Sequence, residues 1–367
     1  VPTDAVPADA PDDAVLPADA VLLIGFGGPE GPAQVLPFLR RVTAGKGIPD
    51  ERLAEVGKHY EHFGGVSPIN EFHRQLQRRW AADLQRRWPG LPLYLANRNT
   101  EPFLPDVLAR MRDDGVARAV AVATSAFSSY SGCRQYRQDV ATAAEQVPGA
   151  PWTTKAHPFF DHPLMVRMWA DRVRDGLARL PGARRPLVLF ATHSIPQAAA
   201  DRSGPGGTGA YPRQHRELAA AVMAAALAQA PARDVAWDLC YQSRSGPPQQ
   251  PWLEPDVSDR LATARDQEAR DAVVIVPLGF VSDHIEVLWD LDEVALADAA
   301  RLGLAAVRVE TIGTDDRFLT VLSDLVAQYR DGTPFPSFRT AGALPHCPLD
   351  CCLPVRRPAA ASGTVGA

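Results

Sequence analysis

Short apolar runs alternate with longer amphipathic stretches along most of the chain. The runs AVLLIG (20–25), PLYLA (92–96), ARAVAVA (117–123), PLVLFA (186–191), VAWDLC (235–240), AVVIVPL (272–278) and AAVRVE (305–310) read as buried strands. Between them, Ala/Leu/Arg-rich segments with helical period cover 70–87, 101–113, 134–146, 163–180, 212–230, 255–268, 286–302 and 315–330. Strand, helix, strand at this spacing predicts parallel sheets. The alternation breaks near PGAPWTT and HPFFDHP and then resumes, which predicts two doubly wound α/β domains facing each other. The expected divisions are an arm (1–17), a first domain (18–162), a second domain (163–330), an extension (331–356) and a tail (357–367). Sheets of this kind bind ligands beyond the carboxyl ends of their strands, so the reacting residues should stand just after the strands.

The chain has 367 residues and an apolar content of 46%, ample for two cores. Its net charge of −5 gives no overall electrostatic case for nucleic acid or an anionic membrane surface. No apolar run approaches the ~18 residues of a membrane span. The Pro/Ala/Asp-rich start lacks the basic and apolar regions of a signal peptide, so a cytoplasmic protein is expected, with both termini disordered. Five cysteines in so long a chain are no disulfide scaffold, and Cys347, Cys351 and Cys352 crowd together as metal ligands do.

The strand ends carry the candidate chemistry. GFGGPEG after the first strand invites a dinucleotide reading, but Glu30 occupies the sixth position and would repel a phosphate. HYEHFGGVSPIN offers His59, and Ser67 as a helix N-cap before Pro68. The loop TSAFSSYSGCRQY offers Ser128, Ser129, Arg134 and Tyr136, groups suited to a planar ligand that bears carboxylates. THSIP places His193 at a strand terminus, able to ligate a metal or take a proton near neutral pH. GFVSDHIEVLWDLDE puts Glu286, Asp290 and Glu293 on one face if the segment is a regular helix, with Glu286 able to meet His193. A Gly/Pro-rich loop presents Trp252, as a lid or as a platform for a flat ligand. Clusters and zinc sites alike take four thiolates. The tail supplies three, and Cys133, in its polar loop, is a better fourth than Cys240, which ends an apolar strand.

Five stretches in order, GFGGPEG, HFGGVSPI, THSIP, YQSRSGPPQQPWLEP and GFVSDHIEVLWDLD, resemble the ferrochelatase family over about residues 20–330. The resemblance implies two Rossmann-like domains around a porphyrin cleft, and insertion of ferrous iron into the porphyrin. His193 and Glu286 match the family's catalytic pair, and Asp290 lies on its acidic line. Ser67 and Tyr136 match positions that contact propionates. Phe26 stands where some members have a tyrosine that can ligate iron, and His59 where they have an arginine. SSYSGCRQY and HCPLDCC look most like the actinobacterial branch, which implies coproporphyrin III as substrate and a [2Fe–2S] cluster on Cys133, Cys347, Cys351 and Cys352. The polar segment TAGKGIPDERLAEVGKHYEH replaces the apolar lip of membrane-associated relatives, so a soluble monomer is expected. Protoporphyrin IX as substrate, or a carrier with a redox-sensing cluster, are the alternatives.

Overall fold

The computed structural model describes residues 17–228, 234–246, 249–340, 347–348 and 350–355. The expected tail (357–367), and the expected arm except Pro17, lie outside the described residues. The first half runs β1 (Ala20–Gly25), α1 (Pro32–Val42), α2 (Asp50–His62), α3 (Ile69–Arg87), β2 (Leu93–Asn97), α4 (Leu104–Asp113), β3 (Arg118–Ala123), α5 (Gln135–Glu145) and β4 (Trp152–Lys155). The second runs α6 (Pro163–Ala178), β5 (Pro186–His193), α7 (Gln197–Asp201), α8 (Ala210–Leu227), β6 (Ala236–Gln242), α9 (Val257–Asp266), β7 (Ala272–Val276), α10 (Ile285–Val287), α11 (Leu296–Arg301), β8 (Ala305–Arg308) and α12 (Asp316–Asp331). Two π-helical segments interrupt this order, Tyr130–Arg134 leading into α5 and Leu288–Ala295 between α10 and α11.

Each half forms a four-stranded, all-parallel sheet, in the orders β2-β1-β3-β4 and β6-β5-β7-β8. The central strands β1 and β7 are buried throughout, as near-continuous apolar strands covered on both faces must be. All seven apolar runs are strands. The eighth, β4 (WTTK), escaped the periodicity because it is a short, polar edge strand. α1 and α2 escaped it too. Pro37 lies inside α1, and α2 buries only Leu53, Gly57 and Tyr60 along a mostly charged surface.

The two sheets share one continuous core, in which Trp80 of α3, Phe159, Trp169 of α6, Phe190 of β5 and Phe318 of α12 are almost wholly buried. The last helix fastens the halves together. Trp80 Nε1 donates to Ser323 Oγ at 3.0 Å, and Arg79–Asp316, Arg87–Asp324 and Trp88–Asp331 contacts at 2.6–2.8 Å extend the ladder along α3 and α12. A second apolar cluster joins α1 and α2 to Ile285 of α10. The α1–α2 pair of the first half is thereby held against the strand-end loops of the second.

Candidate active site

β5 pairs with β6 as far as His193 and Gln242, but with β7 only as far as Phe190 and Val276. The last residues of β5 therefore project beyond β7, whose chain turns away at Pro277 and crosses over them. Gly279 permits that crossing, since a Cβ there would sit 2.2 Å from Thr192 Oγ1. The turn delivers Glu286, on α10, in front of His193.

His193 Nε2 lies 3.5 Å from Glu286 Oε2. His193 Nδ1 makes a short hydrogen bond to the Ser194 carbonyl. A carbonyl can only accept, so Nδ1 carries a proton, and when the ring is neutral the Nε2 lone pair faces the carboxylate. Two acceptors at this separation do not bond each other. They can share a proton or a divalent cation.

Behind Glu286, Asp290 accepts from Ser243 Oγ and from Gln242 Nε2 at 3.2 Å, and the same amide donates to the Glu286 carbonyl at 3.2 Å. Burial, with the Glu286 charge adding to it, pushes the Asp290 carboxyl up to about 6. Burial also holds the adjacent His284 below the usual imidazole range. The regular-helix expectation for Glu286, Asp290 and Glu293 needs correction. The wider π turn over 288–295 keeps Asp290 with Glu286 but directs Glu293 to His62, at 3.4 Å. Asp292 turns away to Arg308, at 2.6 Å.

The first half faces this pair with α2. His59 stacks on Trp289 at 4.0 Å, and burial, then the Arg52 charge, lowers its pKa, with Glu286 opposing. Tyr60 is buried on the same helix, and burial and the Glu286 charge raise its phenol. Phe26, just past β1, meets Phe38 edge-on at 6.2 Å. Tyr136 is buried beside it on α5. Arg98 lies over both rings, 5.7 Å from Phe26 and 4.7 Å from Tyr136, and pairs with Asp139 at 2.5 Å. Arg98 was missed from the sequence, although it directly follows β2 and the strand-end rule applied to NRNT would have found it.

Other candidates also have partners within the fold. Ser67 is no cap: its N–H bonds the Pro29 carbonyl at 2.8 Å, its side chain packs on Gly28, and α3 begins only at Ile69. Ser128 exchanges hydrogen bonds with Gln214, at 2.8 and 2.9 Å. Ser129 caps the π segment through Gly132 N–H at 2.9 Å, and Arg134 donates to the Cys351 carbonyl at 3.1 Å. Ser128 and Ser129 spend their hydroxyls within the protein, so these two do not stand open to a ligand as their loop suggested. Trp252 bridges to Pro196 and packs against Gly246, where a Cβ would meet its Nε1 at 2.2 Å. The glycine turn after β1 is clasped by Asn70, which bonds both N–H and C=O of Gly28 at 3.0 and 2.7 Å, while Glu30 pairs with Arg74 at 2.6 Å.

The four candidate cluster cysteines lie side by side. Cys133 is hydrogen-bonded to Cys347 and Cys347 to Cys351, and Cys351 and Cys352 are 3.6 Å apart. Donors surround the sulfurs. Lys155 Nζ is 3.0 Å from Cys133 Sγ, and Gly204 N–H points at Cys352 Sγ from 3.1 Å. The thiols run in a chain of contacts, and among the described residues no three His, Cys, Asp or Glu side chains are grouped to hold a metal ion. Cys240 lies elsewhere, buried on β6, with its thiol toward the Phe190 carbonyl at 3.4 Å.

Two linked parallel sheets with reactive groups at the strand ends make this an α/β protein of the chelatase kind. SirB from Bacillus subtilis with Fe3+ superposes with a TM-score of 0.51 at 13% identity, covering 86% of this chain and 98% of that one, a likeness of fold. The ferrochelatase family profile matches residues 18–330. The chain belongs to the ferrochelatase family, enzymes that insert iron into a porphyrin. Its similar relatives include proteins named coproporphyrin III ferrochelatase. That of Leifsonia xyli is 46% identical over 361 residues, spanning 92% of each chain. That of Nocardia farcinica is 46% identical over 357 residues, spanning 94% of this chain and 99% of the relative. That of Mycobacterium ulcerans is 49% identical over 315 residues, spanning 86% and 88%. Among the described residues no helix is long and apolar enough to cross a membrane.

Proposed function

We propose that this protein inserts ferrous iron into coproporphyrin III to form coprohaem, a reading supported by relatives named coproporphyrin III ferrochelatase. The observation that carries the reading is the His193–Glu286 pair, with the Nε2 lone pair aimed at a carboxylate oxygen 3.5 Å away. Metallation exchanges two pyrrole N–H protons for one Fe2+. A neutral imidazole and an ionised carboxylate can each take a proton, or hold the ion by only two donors so that it leaves readily. Asp290, at about 6, is poised to receive a proton from Glu286 and pass it on. Phe26, His59 and Trp252 border the porphyrin in this reading. Ser67, Tyr136 and the Arg98 beside it serve its propionates. Clamping those remote carboxylates can supply about 1–5 kcal/mol toward bending the ring.

Cys133, Cys347, Cys351 and Cys352 would hold a [2Fe–2S] cluster. Four adjacent thiols flanked by an ammonium and a backbone N–H suit an anionic cluster. A cluster there would supply a structural or redox-sensing element that pins the extension (331–356) to the first domain (18–162). A zinc site on the same thiolates is its competitor. The protein is read as a cytoplasmic monomer, with residues 163–330 as the second domain.

The test is iron-dependent conversion of the coproporphyrin III absorbance spectrum, with kcat/KM measured beside protoporphyrin IX. Coproporphyrin should be preferred. Replacing propionates by vinyls leaves polar partners unpaired, at about 1–3 kcal/mol each. A preference for protoporphyrin IX would overturn the substrate. Porphyrin binding without metallation would make the protein a carrier.

A further inference from the structure

His193 rests on a buried hydrogen-bond network. His215, on α8, is fully buried and stacked on Phe127 at 3.6 Å. Its Nδ1 is 2.7 Å from the Tyr211 carbonyl, so Nδ1 donates and Nε2 is left to accept. Thr192 Oγ1, 2.9 Å from that Nε2, must spend its single proton there. Thr192 therefore cannot donate to the Tyr211 hydroxyl, also 2.9 Å away. The Tyr211 proton is free to serve the His193 carbonyl at 2.9 Å, with Thr192 Oγ1 as its other acceptor. Burial raises the Tyr211 phenol well above its ordinary range, so it stays a donor.

The same tyrosine is tied to the cysteine-rich loop. Tyr211 N–H donates to Ser203 Oγ at 2.7 Å, and Ser203 Oγ donates to the Ala200 carbonyl at 2.5 Å. The next residue, Gly204, exchanges two bonds with Cys352, N–H to Sγ at 3.1 Å and carbonyl from Cys352 N–H at 3.3 Å. Cys352 itself holds a left-handed backbone, φ 56°, which a non-glycine residue adopts only when its surroundings enforce it. The contacts run from Cys352 through Gly204 and Ser203 to Tyr211 and His193. Every link is a hydrogen bond or a peptide bond.

We propose that Tyr211 is a positioning residue for His193, and that through it the docking of the Cys352 loop sets the placement of the catalytic imidazole. The proposal rests on the iron-insertion reading, but not on which metal the cysteines hold. Phe at 211 would keep the ring packed on His215 while removing the one proton directed at the His193 carbonyl. A small displacement of a reacting group can cost one to two orders of magnitude in rate.

The test uses the full-length protein and coproporphyrin III with ferrous iron. Y211F should lower kcat by about tenfold or more, with porphyrin KM and porphyrin affinity by fluorescence quenching within about twofold of wild type. Its visible absorbance should be unchanged. C352A should lower kcat in the wild-type background and have little further effect in the Y211F background, because both changes act on one path. Wild-type kcat in Y211F overturns the proposal. So does loss of porphyrin binding together with turnover, which would make Tyr211 a prop for the fold. Multiplying losses in the double variant overturn the link to the loop. Inactive wild-type protein would instead remove the function reading, and a colourless but active one only the iron–sulfur reading.

Discussion

The two halves are built alike and end differently. β1 and β5 occupy the same place in sheets of the same order, and each closes its pairing on an amide, Gly25 opposite Asn97 and His193 opposite Gln242. Each strand end also has a buried neutral histidine beneath it, His73 against Gly25 and His215 against Thr192, both held down to about 3 by burial. Each third strand leads to a π-helical segment. In the first half the leading strand ends in a bare glycine, and Asn97 spends its amide on the Glu101 carbonyl at 3.0 Å. In the second it ends in an imidazole, and Gln242 reaches Asp290 and Glu286. The scaffold is common to both. In the proposed function the difference lies in which side chain the strand end presents: the first half shapes and holds while the second reacts.

The largest effect should come from the reacting end. Glu286→Gln keeps the shape of the side chain and removes its charge, and His193→Ala removes the lone pair. Each should lower kcat by about 10²–10⁴ while porphyrin still binds, as measured by fluorescence quenching. Near-normal turnover in either variant would take that residue out of the mechanism and erase the distinction between the halves. The two π segments can be separated next. Cys133→Ser, in the first, should abolish the visible cluster bands and lower the thermal midpoint, whereas Cys240→Ser should keep the bands. The opposite pattern would show that the first half does not supply the fourth thiolate.

Gly25→Ala tests why the first strand must end bare. The added Cβ would lie 2.3 Å from His73 Cε1 and 2.5 Å from Asn97 Oδ1, in a site with no room to yield. A loss of about 1–3 kcal/mol in denaturant unfolding is expected, and unchanged stability would show that this end tolerates a side chain as β5 does.

The smallest effect concerns Asp290. Its carboxyl titrates near 6 in the fold and near 3.9 when unfolded, so the native state binds the proton more tightly. Ionisation then costs stability progressively as pH rises between those values, and the full cost persists above them. Asp290→Asn should be more stable than wild type above pH 7, with the gain fading below pH 4. Urea unfolding at both pH values measures it, and a gain that grows toward acid would reverse the assigned shift.

What the chain determines by itself is the alternation that makes parallel sheets and the identity of the residues past the strand ends. Buried parallel strands need continuous apolar runs, and AVLLIG or AVVIVPL admit little else. His193 was legible because it directly follows such a run, and Glu286 because an acidic row begins where another ends. α1, α2 and β4 were not legible: Pro37 lies inside α1, α2 buries only three residues along a mostly charged surface, and β4 is a short polar edge strand. Tertiary structure alone decided that His193 Nδ1 turns to the Ser194 carbonyl, that the π turn parts Glu293 from Asp290, and that Arg98 reaches over Phe26 and Tyr136. These depend on side-chain directions and loop crossings set by packing between distant segments, which no local pattern of residues encodes.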